Sequence, residues 1–276
     1  MPESQIKVKI NPDVTPAGSD LSIVNAARRS FNTRSNWDGS GKLKEKDKRL
    51  LEFLARGMTA KDFDDFILKV GEKGLYWLYH SDLNMKKDLL EALWQWRNTP
   101  THDTPFNHTF ISFEVQAPIF VRAQLVKHEY LILSEFSRRY ITDNVEFYEP
   151  DYWRKAAPNK KQGSLDEPVE SVRFQDYGEN YKSKINLAYS AKYSNDVMFY
   201  DSLVKGGVAP EQARMILPQS LMTEWTWSGT LGAFAKMCQL RLHPEAQYEA
   251  RLVAQQVYDY LKIYYPVGAK ALVEGV

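Results

Sequence analysis

Residues 117–140 read Ala-Pro-Ile-Phe-Val-Arg-Ala-Gln-Leu-Val-Lys-His-Glu-Tyr-Leu-Ile-Leu-Ser-Glu-Phe-Ser-Arg-Arg-Tyr. The stretch opens on an apolar run, Ala117 to Val121, that reads as buried scaffold. It closes on a dense polar block: His128, Glu129, Ser134, Glu135, Ser137, Arg138, Arg139 and Tyr140. Charge at that density beside core is unfavourable unless a ligand or a partner charge satisfies it. The segment therefore reads as a binding site carried on a rigid support.

Working outward, Phe110 to Phe113 alternates as a strand and Phe120 to Tyr130 reads as a helix leading into the polar block. Thr99 to Asn107 is a proline- and threonine-marked loop. Toward the N-terminus, residues 5 to 10 alternate apolar and polar as a second strand. Asp20 to Ala27 reads as a helix with Asp20 as its N-cap, and Lys42 to Arg56 as another. Residues 59–97 carry further helical patterns, including Met85 to Trp96. On the C-terminal side, residues 155–168 read as an exposed loop and Asn180 to Val204 as a long helix broken by Gly206-Gly207. Pro210 suits a first helical turn. Ala246, Ala250, Val253, Val257 and Leu261 recur at helical spacing from Pro244 to Pro266. Glu245 and Glu249, one turn apart on that pattern, read as a solvated pair.

Composition sets the frame for these elements. The 276 residues suffice for one large domain or two small ones, and 36 Lys plus Arg against 35 Asp plus Glu give a formal net charge of +1. That balance argues against bulk nucleic-acid binding, so any anion site is local. Tyr and Trp are abundant, 16 and 7, which suits planar ligands, cores and interfaces alike. Trp225 and Trp227 read as core or interface rather than a stacking platform. Cys238 is the single cysteine, which excludes an intramolecular disulfide and a cysteine-based zinc site. It reads as a small buried helix residue. His102 and His108 lack the helical i, i+4 spacing of a metal pair, and no metal is expected. The chain shows no secretory signal core and no long apolar span, so a cytoplasmic, non-membrane setting is the expectation.

Taken in order, the motifs resemble those of the flavin-dependent thymidylate synthases. Lys127-His128-Glu129 followed by Ser137 is similar to that family's Arg-His-Arg…Ser signature, and Glu135, Ser137, Arg139 and Tyr140 match its Glu-x-Ser-x-Arg-Tyr ending. His102, Thr104, Pro105 and Phe106 match its His-x-Thr-Pro-Phe, and residues 117–121 with Gln124 match its Ala-Pro-Ile-Phe-Val and following Gln. Ala213-Arg214 with Leu217-Pro218, Leu240-Arg241, and Ala246-Gln247 with Glu249 continue the likeness. The spelling looks most like bacteriophage members, which would place the protein in a host cytoplasm. Departures are Lys127 and Glu129 for the two signature arginines, Ser134 for Asn, Arg138 for Gly, Thr230 for a flavin-binding Asn, and Lys236 for a further Asn or His.

The resemblance implies an α+β fold, with helices packed on a central, mostly antiparallel sheet. It also implies a single domain over 1–276, with insertions at 59–97 and 155–195. It implies reductive methylation of dUMP to dTMP without a cysteine nucleophile. Methylenetetrahydrofolate would give the carbon, FAD the hydride, and NADPH would serve as reductant. Gln124, Lys127, Glu135, Ser137, Arg138, Arg139, Arg214 and Arg241 would bind dUMP, with Arg241 polarising the uracil. Thr104, Lys127, His128, Glu129, Glu135, Thr230 and Lys236 would bind FAD. A homotetramer with shared active sites is the implied assembly. Two alternatives stay open from the residues: a flavin- and folate-dependent dUMP hydroxymethylase, and a non-catalytic nucleic-acid-binding protein.

Overall fold

The computed structural model describes residues 5–56, 102–143, 145–158, 163–173 and 182–274. In chain order the strands are β1 (Lys7–Ile10), β2 (Ile111–Pro118), β3 (Ile132–Glu135), β4 (Arg154–Ala156), β5 (Ser164–Pro168), β6 (Ser171–Arg173), β7 (Lys182–Lys184) and β8 (Met222–Gly229). The helices are α1 (Asp20–Arg28), α2 (Glu45–Ala55), α3 (Ile119–Leu125), α4 (Ile185–Lys205), α5 (Pro210–Ala213), α6 (Leu231–Arg241), α7 (Tyr248–Tyr264) and α8 (Pro266–Val273). The helical patterns expected at 59–97, and the insertion read there, lie outside the described residues.

The central sheet runs β1-β2-β8-β3 and is antiparallel throughout. Its two faces differ because the side chains alternate. Ile111, Phe113, Val115 and Ala117 of β2 and Trp225 and Trp227 of β8 are buried in one core. Val24 of α1, Leu51 of α2, Phe234 of α6, Val257 of α7 and Leu272 of α8 share it. Phe113 meets the Phe234 ring edge-on, with centroids 5.0 Å apart. The opposite face presents Lys7, Lys9, Glu114, Gln116, Glu224 and Thr226 around a shallow polar cleft. The mixed helix-and-sheet architecture read from the sequence is therefore the observed one.

Several local expectations shift. The helix read over Phe120–Tyr130 ends at Leu125, and Tyr130, at a left-handed φ of 63°, turns the chain into β3. The polar block is thus an edge strand and its following turn, paired to β8 with Glu135 opposite Trp225. Residues 155–168, read as an exposed loop, contribute the hairpin strands β4 and β5. The helix read from Pro244 to Pro266 runs from Tyr248 to Tyr264, and a further helix that was not read, α8, begins with Pro266 in its first turn.

Asp20 also changes role. Ser19 is the N-cap of α1, accepting from Ser22 N at 3.3 Å. Asp20 is buried and instead caps α8 from across the core: its carboxylate accepts from Val267 N at 2.8 Å and Gly268 N at 2.9 Å. A Cβ on Gly268 would stand 3.0 Å from Asp20 Oδ1 and 3.2 Å from Leu231 Cδ2, so a larger residue there would press on the capping carboxylate. Asp20→Ala leaves one buried and one part-buried N–H group without their acceptor and is expected to cost about 3 kcal/mol of stability in chemical denaturation. Ser19→Ala, which removes an ordinary helix cap, is expected to cost about 1 kcal/mol.

Candidate functional site

Three clusters gather the residues singled out in the sequence. The first lies where the C-terminus of α6 meets the end of α3. Arg241, the last residue of α6, donates from Nε to His128 Nε2 at 3.0 Å and from Nη2 to the Gln124 backbone oxygen at 3.1 Å. For Nε2 to accept, the imidazole must be neutral. Desolvation, followed by the adjacent Arg241 charge, lowers the His128 pKa from its ordinary 6.5 to about 4. Arg241 itself is pushed below the usual arginine range by burial. Arg241 and Gln124 line a cavity of about 1030 Å³ that also takes in Phe120, Tyr148, Trp153 and Tyr189. Its aromatic walls and few convergent polar groups are the usual construction of a small-molecule site.

The protonation of His128 gives a test in stability. The folded state binds fewer protons here than the unfolded chain between about pH 4 and 6.5. Stability from the neutral imidazole is therefore present above 6.5 and lost as pH falls through that window. His128→Gln, which accepts from Arg241 without titrating, is expected to flatten this part of a plot of denaturation midpoint against pH.

The second cluster is cationic. Ser137, Arg138, Arg139 and Arg214 converge with Glu135 and Thr223 on a cleft of about 360 Å³. Arg139 Nε reaches Ser137 Oγ at 3.3 Å, and Arg214 Nε donates to the Glu211 oxygen at 3.3 Å, which leaves the remaining guanidinium donors of both for an anion. Both arginines are exposed, whereas Arg138 is buried and turned inward. Its Nη1 donates to the Asp143 oxygen, and its guanidinium lies 4.9 Å from the Phe136 ring centre. Glu135 is fixed by Arg122 Nη2 at 2.6 Å and by Thr223 Oγ1 at 3.0 Å. Sequence reasoning did not single out Arg122; its place two residues before Gln124 on the same short helix was the available signal.

The third cluster sits at the other end of α6, roughly 16 Å from Arg241 along that helix at its ordinary rise. Thr230 caps α6, accepting from Ala233 N at 3.2 Å and donating to Asn107 Oδ1 at 2.7 Å. Lys236 pairs with Asp103 at 3.3 Å, and Thr104 starts the adjoining turn. Thr104, Thr230 and Lys236 are thus brought together, a hydroxyl-and-cation set suited to a phosphate-bearing cofactor. Lys127 and Glu129 are exposed and make no side-chain hydrogen bond or ion pair with the described residues.

One residue read as solvated proves central. Glu249 is 4% exposed and lines the large cavity. It pairs with Arg154 of β4, whose Nε also donates to Ser164 Oγ at 3.0 Å and whose guanidinium stacks 4.3 Å from the Tyr248 ring centre. Glu245 is exposed and precedes the helix, which starts at Tyr248. Cys238 is fully buried, its thiol directed at the Ala254 oxygen and its pKa raised by burial.

The chain shares 36% identity over 177 residues with a flavin-dependent thymidylate synthase of Thermus thermophilus, covering 63% of this chain and 60% of that one. It shares 32% identity over 161 residues with the enzyme of the same name from Thermosipho africanus, covering 58% and 67%. The matched region thus spans about 60% of the first relative's length. A UMP/dUMP methylase PolB from Streptomyces cacaoi, solved with 5-Br dUMP, has the same fold, with TM-score 0.65 and 23% identity over 98% of this chain and 96% of that one. Residues 13–267 match the family described as thymidylate synthase complementing protein, and the chain belongs to that family.

Proposed function

We propose that the protein methylates dUMP reductively to dTMP, with methylenetetrahydrofolate as carbon donor, FAD as hydride carrier and NADPH as reductant. The observation that carries this reading is the Arg241 guanidinium, fixed by a neutral His128 and the Gln124 carbonyl at the wall of a cavity large enough for a nucleotide base. A rigid cation beside the pyrimidine favours negative charge developing at its O2 and so raises the nucleophilicity of C5. Ser137, Arg139 and Arg214 offer forked donors for the nucleotide phosphate, with Arg138 shaping the turn between them. Thr104, Thr230 and Lys236, with Lys127, His128, Glu129 and Glu135, would hold FAD, which supplies the hydride when bound. Cys238 is sealed in the core, so its thiol is withheld from the cavity, which agrees with a route that needs no thiolate.

The base-polarising and phosphate-binding clusters line two separate cavities with no residue in common. Sites completed by a second copy account for this, and a homotetramer with shared active sites is the assembly proposed. Exposed Tyr130, Ile132, Tyr140 and Leu240, beside both clusters, supply apolar surface for such contacts. A reducing, cytoplasmic setting suits the flavin chemistry. The test is incubation of the purified protein with dUMP, methylenetetrahydrofolate, FAD and NADPH, followed by product mass. dTMP is the expected product; hydroxymethyl-dUMP, or unmodified dUMP, overturns the reading.

A further inference from the structure

Four side chains form a directed series along the wall of the large cavity. Arg154 of the β4–β5 hairpin holds Glu249 Oε1. Glu249 Oε2 accepts from Gln247 Nε2 at 3.1 Å. Gln247 Oε1 in turn accepts from Gln124 Nε2. The polarity of the series follows from its first member. A carboxylate bound to a guanidinium can only accept, so Gln247 must turn its NH2 toward Glu249 and its oxygen toward Gln124. Gln124 must then answer with its own NH2. Its Oε1 makes no hydrogen bond with the described residues and is left as an acceptor on the cavity wall. Without Glu249, either glutamine amide is free to rotate by half a turn and exchange donor for acceptor.

We propose that Glu249, acting through Gln247, is a positioning residue that fixes the Gln124 carboxamide with its oxygen toward the ligand, so that the site selects uracil over cytosine. Uracil carries a donor at N3, whereas cytosine carries an acceptor there, and a fixed carbonyl oxygen meets the first and opposes the second. A phosphate dianion has no proton to offer this oxygen, whereas the N3–H of uracil does. The Gln124 backbone oxygen also accepts from Arg241, so both residues stand at the same part of the cavity wall. Arg154 ties the hairpin to this selection, since its guanidinium keeps the carboxylate in place. The inference rests on the reading of the cavity as the dUMP base site.

The test compares kcat/KM for dUMP with the inhibition constant of dCMP in the wild-type protein, in Glu249→Gln and in Gln247→Leu. Glu249→Gln places a neutral, buried amide opposite part-buried Arg154 and risks the fold, whereas Gln247→Leu leaves that ion pair intact and breaks only the series. In both variants the preference for dUMP over dCMP is expected to fall about tenfold, the loss of one directed hydrogen bond, with KM affected more than kcat. A preference unchanged within about twofold in Gln247→Leu, in a wild-type background that methylates dUMP, overturns the relay alone. A wild-type protein that neither binds nor methylates dUMP overturns the base-site reading and the relay with it.

Discussion

Arg241→Ala is expected to lower kcat/KM for dUMP about a thousandfold, the usual loss when a preorganised donor at developing charge is removed. The size follows from how the guanidinium is held. Its Nε and Nη2 are each committed to a protein acceptor, so the group is rigid before the ligand arrives and needs no reorganisation during reaction. Arg241→Lys keeps the charge but cannot span both acceptors, and is expected to restore only a small part of the activity. The side chain is only partly buried, so folding should be nearly unaffected in both variants, with circular dichroism and thermal midpoint as the controls. A second signature separates the electrostatic role from a steric one. The Arg241 charge is the second cause of the low His128 pKa, after desolvation, so its removal should move the His128 titration upward from about 4 in an NMR experiment.

Trp227→Ala is expected to cost about 4 kcal/mol, a large part of the stability of an ordinary domain. Trp227 is 1% exposed and lies on β8, the strand between β2 and β3. Its ring meets Phe234 edge-on at 5.2 Å and Trp225 at 6.3 Å. It stands opposite Phe113 on one neighbouring strand and Leu133 on the other. Alanine leaves a cavity bordered by strands on both sides and by α6, which cannot all collapse into it. Chemical denaturation should show a lower midpoint with an unchanged slope, and Trp227→Phe should recover more than half of the loss.

The sequence carried β1, the start of β2 and the adjacent arginines of the cationic cleft, because these are written locally, whereas β3 and β8 of the same sheet were not read as strands. Ile111, Phe113, Val115 and Ala117 alternate within one strand, and Ser137, Arg138 and Arg139 are consecutive. What stayed hidden depends on groups far apart in the chain. Asp20 looks like a cap for the helix it begins, and only the fold shows it capping α8 across 247 positions. Glu249 sits one helical turn from Glu245, which reads as a solvent face until Arg154, 95 positions earlier, is seen to land on it. The hairpin that delivers Arg154 is rich in Lys, Pro and Gly, a composition that resembles loop. Arg138 is the converse case. Two adjacent arginines suggest one role, yet one faces the cleft and the other is packed over Phe136.

The sealed thiol of Cys238 has a practical consequence. It is the only cysteine in the chain and is fully buried, with the thiol form favoured by its surroundings, so maleimides and similar reagents should leave the native protein unmodified. A cysteine placed on the β4–β5 hairpin, at Lys155 for example, would then be the sole reactive position. A fluorophore or spin label attached there would report hairpin motion against a dark background, with no need to alter the native residue first.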